Sequence, residues 1–226
     1  MKNLINKTNG ILFAWILLTG SISTANAQKA EFGVRLMPTF STFDLKTSGG
    51  NSIKGEVVYG FGVGAFFGFN FTDNVGIQIE GIYNSINQKY KEVDVERKVN
   101  LRYVNIPLLL SVNTGKSRAV NLNVVAGPQI GLSVGSSVTT TGSDGVANSK
   151  AVLEVKKGDL GLAYGAGLDF GLNSSHTVRL GLGFRGVFGL IDISDNSETM
   201  TTDSYYILDK TKIKTYSGYL GLSILF

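Results

Sequence analysis

Cysteine is absent from the 226 residues, histidine occurs once and proline only three times. Without cysteine there is no disulfide framework and no thiolate metal site. Long apolar runs are missing as well. Beyond the N-terminus no segment reaches 18 apolar residues without a polar interruption, which excludes helical membrane spans. Strong charge of either sign is also lacking, since the formal net charge is +4. So small an imbalance offers no electrostatic footprint for nucleic acid. Glycine is abundant instead, with 29 residues, alongside 13 Phe and 9 Tyr. Disordered chains are poor in aromatic and β-branched residues. Here the glycines sit inside runs of Phe, Val, Leu and Ile, as in strands that need small side chains on one face.

The first residues have the three parts of an export signal. Lys2 and Lys7 occur without an acid, residues 11–18 (ILFAWILL) are apolar, and Ala25-Asn26-Ala27 forms a cleavage site before Gln28. The apolar run is shorter than the roughly 20 residues a spanning helix needs, so a retained anchor is the weaker alternative. Residues 1–27 are therefore expected to be a cleaved signal peptide and residues 28–226 the mature domain. Removing Lys2 and Lys7 lowers the net charge from +4 to +2.

From residue 30 onward, apolar residues alternate with small or polar ones, as a membrane strand of about 9–11 residues requires. Eight such segments are expected, near 30–43, 57–70, 74–88, 98–112, 119–134, 158–172, 177–190 and 212–226. In the first, Phe32, Val34, Leu36 and Phe40 oppose Glu31, Gly33, Arg35 and Thr39. The second is the clearest, with Tyr59, Phe61, Val63, Ala65, Phe67 and Phe69 set against Gly60, Gly62, Gly64 and Gly68. An even strand number suits a single-chain bacterial barrel.

The connections carry independent information. Residues 71–73, 113–118 and 173–176 are short and rich in turn formers, whereas 44–56, 89–97, 135–157 and 191–211 are longer and polar. Outer-membrane barrels have short periplasmic turns and longer external loops, and this alternation matches that rule throughout. Aromatics fall into two girdles, Phe32, Phe67, Phe69, Phe170 and Phe226 toward the periplasm and Phe40, Tyr59, Tyr83, Phe184, Phe188 and Tyr216 toward the outside. A soluble exported sandwich or lipocalin-like barrel also alternates. It would turn the glycine runs outward, giving a surface short of charge. The expected fold is all-β: an eight-stranded antiparallel transmembrane barrel embedded in outer-membrane lipid.

On this reading the inner face carries Glu31, Arg35, Glu80, Asn105, Gln129, Asp169, Arg179 and Arg185, with Asp159 beside them. Charges in a narrow lumen must pair, and eight strands leave an interior that side chains can fill. A polar network plugging the lumen is the expectation. A narrow path or small-ligand pocket over the inner glycines is the alternative.

Other motifs carry little chemistry. Gly181-Leu-Gly183-Phe-Arg-Gly186 matches a dinucleotide fingerprint but lies inside a strand, with no helix N-terminus to hold a pyrophosphate. His176 falls in a short turn as an exposed residue, without the oriented base and third group a hydrolase needs. Some small outer-membrane barrels modify lipids, so that class stays open as a minor alternative. Asp192, Asp195 and Glu198 do not have the spacing of a calcium loop. No cofactor, metal or catalytic residue is expected. Val152–Val155 could extend the sixth strand outward.

Four stretches and the C-terminus carry a family resemblance. They are Val104-Asn105-Ile106-Pro107-Leu108-Leu109-Leu110, Ala126-Gly127-Pro128, Tyr164-Gly165-Ala166-Gly167-Leu168-Asp169 and Arg185-Gly186-Val187-Phe188-Gly189-Leu190-Ile191-Asp192-Ile193. In this order they resemble the PorT-like outer-membrane β-barrels over nearly all of the mature length. The closing residues 219–226 look like the signal by which the barrel-assembly machinery recognises its clients, ending in Phe226. The resemblance implies an outer-membrane location and an eight-stranded barrel but no single activity: the founding member is associated with a protein-secretion system, while many relatives have no assigned role. It carries over no catalytic residues. Contacts with other envelope or secretion proteins, through the loops or periplasmic turns, are a separate expectation that follows from a filled lumen and four longer external connections. Pro107 and Pro128 fit strand bends or bulges, where a missing ladder donor is tolerated.

Overall fold

A strand that is apolar on one face and small or charged on the other cannot leave either its face or its edge unpartnered in a membrane. Closure solves both problems. The computed structural model describes residues 30–42, 45–46, 52–53, 56–92, 95–142, 156–193 and 212–226. Eight long strands run through them in sequence: β1 Ala30–Thr42, β2 Tyr59–Asn70, β3 Val75–Glu92, β4 Val95–Asn113, β5 Val120–Gly142, β6 Gly158–Gly171, β7 Val178–Gly189 and β8 Lys214–Leu225. Each pairs antiparallel with its sequence neighbour, and β1 pairs with β8, so the sheet is a closed up-and-down barrel. Reciprocal backbone bonds between Ala30 and Phe226, at 3.0 and 2.9 Å, tie the first strand to the last residue.

The faces divide as the alternation predicts. Phe32, Val34 and Leu36 are each at least half exposed, while Glu31, Arg35 and Thr39 between them are buried. Exposed aromatics pack side by side, including Phe40 with Tyr59 at 6.1 Å and Phe184 with Tyr216 at 6.2 Å. Gly186 faces outward yet is buried, because the Tyr164 ring lies over it from the neighbouring strand.

Pro107 and Pro128, expected at bends or bulges that tolerate a missing donor, interrupt the ladder, and Pro38 does the same. Between β1 and β8 the pairing steps from Leu36↔Leu220 to Thr39↔Ser217 across Pro38. Between β3 and β4 it steps from Ile79↔Leu108 to Ile82↔Asn105 across Pro107. Between β4 and β5 it steps from Pro107↔Gln129 to Leu110↔Ala126 across Pro128. Each proline opens a gap on one edge without shifting the register, as a missing N–H donor would. Among the described residues the one bulge lies elsewhere, where Arg102 pairs with Gly135 but Tyr103 pairs with Ser133, leaving Val134 as the extra residue.

The connection expected at 89–97 is not a loop. The β3–β4 ladder continues to Glu92↔Val95, and β5 runs on to Gly142. These strands have 18, 19 and 23 residues against 12 to 14 for the other five. At about 3.3 Å per residue the excess stands well clear of an apolar band about 25 Å tall. The polar alternation of residues 89–97 hid this strand, since above the lipid no apolar face is required. The signal segment, Val152–Val155, Asp195 and Glu198 lie outside the described residues.

Candidate functional site

The inward side chains form layers along the lumen. At the short-turn end, the turn between β4 and β5 directs Gly115 and Lys116 inward while Thr114, Ser117, Arg118 and Ala119 stay exposed. Asp73 holds this turn by accepting from the Ser117 N–H at 2.7 Å and the Ser117 hydroxyl at 2.9 Å. Lys116 is thereby carried into the barrel, 5% exposed, with its Nζ 2.7 Å from Glu31 Oε2 and 3.6 Å from Asp169 Oδ2. Arg179, fully buried, donates to the carbonyls of Lys116, Arg118, His176 and Asp169 at 3.0 to 3.2 Å. Asn121 completes this floor, donating to Asp169 Oδ2 at 2.9 Å and to Asn113 Oδ1 at 3.0 Å.

Above the floor, Glu80 is the centre of a second cluster. It accepts from Arg35, from Gln78 and from both terminal nitrogens of Arg185 at 2.9 and 3.2 Å. The Arg35 guanidinium lies 4.1 Å from the centre of the Phe66 ring and 4.8 Å from that of Tyr219, a cation–π sandwich. Met37, Ile82 and Tyr219 pack together beside it, and Leu109, Val125 and Ala163 form a separate apolar cluster in the lumen. Inner glycines seat these groups rather than leaving a passage. A Cβ at Gly33 would collide with the Phe66 ring, and one at Gly183 would stand 2.6 Å from Tyr219 Cζ. Desolvated charges persist only when paired, and here the Arg35 and Arg185 guanidiniums share the Glu80 carboxylate while that of Arg179 is held by four backbone carbonyls.

Nearer the loop end lie Asn105, Gln129 and Asp159, all buried and inward. The residues expected to share one network are thus divided. Glu31, Asp169 and Arg179 meet at the floor, Arg35, Glu80 and Arg185 meet in the middle, and Asn105 and Gln129 belong to neither cluster. Lys116 and Phe66 were missed. A turn lysine reads as solvated, and nothing in its local sequence marks it as inward. Phe66 does carry a signal, since it shares parity with Gly64 and Gly68 on the inner face. His176 is half-buried rather than exposed, at φ 54° in the β6–β7 turn, with its carbonyl accepting from Arg179. Gly181 and Gly183 lie within β7, and Asp192 accepts from Lys156 through its backbone carbonyl at 3.2 Å. Among the described residues there is no group of three or more His, Cys, Asp or Glu able to hold a metal.

A closed meander of eight strands, apolar outside and ion-paired inside, is the architecture of an integral outer-membrane protein. This chain belongs to the outer membrane protein β-barrel domain family, whose model matches residues 26–195. It resides in the outer membrane with lipid against its exposed face. No curated protein matches it in sequence. Solved structures are similar to it. The outer-membrane protein OprG of Pseudomonas aeruginosa is 16% identical, with a TM-score of 0.51 over 88% of this chain and 96% of that one. Neisserial surface protein A is 14% identical with a TM-score of 0.45, over 86% of this chain and 97% of that one. The attachment invasion locus protein Ail of Yersinia pestis is 16% identical with a TM-score of 0.39, over 87% and 99%.

Proposed function

We propose that this protein is a non-catalytic, non-conducting envelope barrel of the PorT-like kind, acting through its external and periplasmic faces as an accessory to other envelope proteins, with protein secretion as the process served. The observation that carries this reading is the double closure of the lumen. Lys116 and Arg179 seal the periplasmic end, and the Arg35–Glu80–Arg185 cluster with Phe66 and Tyr219 fills the middle. A lumen occupied at two levels leaves the exterior faces as the working surface. The β3–β4–β5 extension adds area on the outer side. In this reading residues 1–27 are removed on export. Phe226, whose side chain is 65% exposed on the lipid face, serves the barrel-assembly machinery as a terminal signal.

The test is cross-linking in cells of a chain tagged within residues 142–148, followed by mass spectrometry, together with conductance of the purified barrel in planar bilayers. The expected result is a reproducible envelope partner, above all a secretion component, and electrically silent bilayers. Steady conductance with no partner would replace this reading by a narrow channel. An enzyme reading would rest on His176, whose ring has no oriented partner group, its Nδ1 being buried without a hydrogen bond. A lipid or peptide modification abolished by His176→Ala would be needed to sustain it.

A further inference from the structure

Every exposed charged side chain among the described residues is a cation, and the two ends of the barrel differ. Six lie at the loop end, against Arg118 alone at the short-turn end. Three of the six flank the end of β7. Lys214 of β8 pairs with Phe188 of β7, and its Nζ stands 5.1 Å from the centre of the Phe188 ring. Lys212 lies two residues further out, exposed like Lys214, while Ile213 between them is buried. On the other side of β7 the Lys156 N–H donates to the Ile193 carbonyl at 2.8 Å, and its Nζ donates to the Asp192 carbonyl at 3.2 Å. Adjacent strands lie about 4.8 Å apart, so these cations span roughly 10 Å of the rim. Asp192, half-buried, is the one described acid among them and offsets one of the three charges.

Below the lysines the lipid face is aromatic. Phe184 stacks on Tyr216 at 6.2 Å and meets Tyr164 at 6.4 Å, and all three are exposed, as is Phe188. Amphipathic rings mark the level at which acyl chains give way to headgroups, and long basic side chains reach from there into the polar layer. Lysines at that depth are attracted to anionic headgroups within a Debye length. A headgroup layer does not require the cations to converge on one point. It requires only that they stand at its depth with little acid between them.

We propose that the loop end of β6–β8 binds the phosphate groups of outer-leaflet lipid, with Lys156, Lys212 and Lys214 as the cations above an aromatic seat. The inference goes beyond the accessory role and takes from that reading only the outward orientation of the long connections.

The probe is a bisphosphorylated glycolipid, lipid A, compared with its dephosphorylated form carrying the same acyl chains. Each is titrated onto the full barrel in non-ionic detergent, and bound lipid is read by native mass spectrometry. The wild type should prefer the phosphorylated form. The triple variant Lys156→Gln, Lys212→Gln, Lys214→Gln should bind it more weakly by roughly tenfold or more, while retaining heat-modifiable gel migration. The corresponding triple Lys→Arg variant, which keeps the charges, should bind as the wild type does. Equal binding of the two lipids by the wild type overturns the proposal, and this comparison decides even if a variant does not fold. Undiminished binding by the Gln variant overturns it as well. Orientation is read separately, by an impermeant maleimide on intact cells carrying Ser137→Cys. Labelling should occur without lysis. Labelling only after lysis would overturn the leaflet assignment, and with it the outward orientation, whatever the binding in detergent.

Discussion

Lys116 Nζ lies 2.7 Å from Glu31 Oε2, joining the turn between the fourth and fifth strands to the start of the first strand. The contact spans 85 residues of sequence and is almost wholly buried. Breaking a buried pair by removing one partner leaves the other charge desolvated, at a cost of about 3–5 kcal/mol. Lys116→Ala should therefore destabilise the barrel by that order, read as a lower urea midpoint for unfolding from lipid vesicles. The double variant Lys116→Met, Glu31→Leu should recover part of the loss, because of the two carboxylates only Asp169, still held by Asn121, loses its cation. A single variant as stable as the parent would refute the floor as a structural latch.

Glu80 faces two guanidiniums, so its neutralisation is the more severe test. Glu80→Gln keeps the shape and leaves Arg35 and Arg185 facing each other without a counter-ion. The expected loss is again about 3–5 kcal/mol. It should exceed that of Gln78→Ala, which removes one neutral donor to the same carboxylate. Equal losses would mean that the arginines find other partners.

The Tyr219 ring lies over Gly183 of the neighbouring strand. Gly183→Val would push a branched side chain into the ring, and overpacking of this kind costs about 1–3 kcal/mol. Adding Tyr219→Ala should relieve much of that penalty, giving a clear coupling in a double-mutant cycle. Strictly additive effects would show that the inner glycine serves backbone shape and not the seating of the ring.

The lipid face can be tested by depth. Leu182, 44% exposed in mid-strand, should lose about 2–4 kcal/mol on replacement by Arg, whereas Tyr59→Arg at the outer end should cost about 0–1 kcal/mol. Equal costs in vesicle unfolding would contradict the proposed membrane position.

Pro128 removes a donor from the β4–β5 ladder, and its gap faces lipid. Pro128→Ala should restore one backbone bond, for a gain of about 0.5–1.5 kcal/mol. Faster amide exchange at Leu109–Leu110 in the parent than in the variant would mark the restored pairing.

The alternation of apolar and small residues determined the strand number, the antiparallel meander and the outward face. That information is local, because side chains two residues apart share a face and the lipid demands an apolar one. It therefore weakened where the lipid ends, which is why the β3–β4 ladder above the membrane read as a loop at residues 89–97. The list of inward charges was also legible, down to Glu31, Arg35, Glu80, Asp169, Arg179 and Arg185. Their partition was not. Which carboxylate meets which cation depends on strand register and tilt around a closed sheet, and residues as distant as Glu80 and Arg185 become neighbours only on closure. Only the tertiary structure brought Lys116 inward, since a turn lysine is indistinguishable from a solvated one until Asp73 fixes the turn and Glu31 lies beneath it. Only the tertiary structure left Asp159 without a cation among the described residues, because that depends on everything packed around a residue and is written nowhere in its immediate sequence.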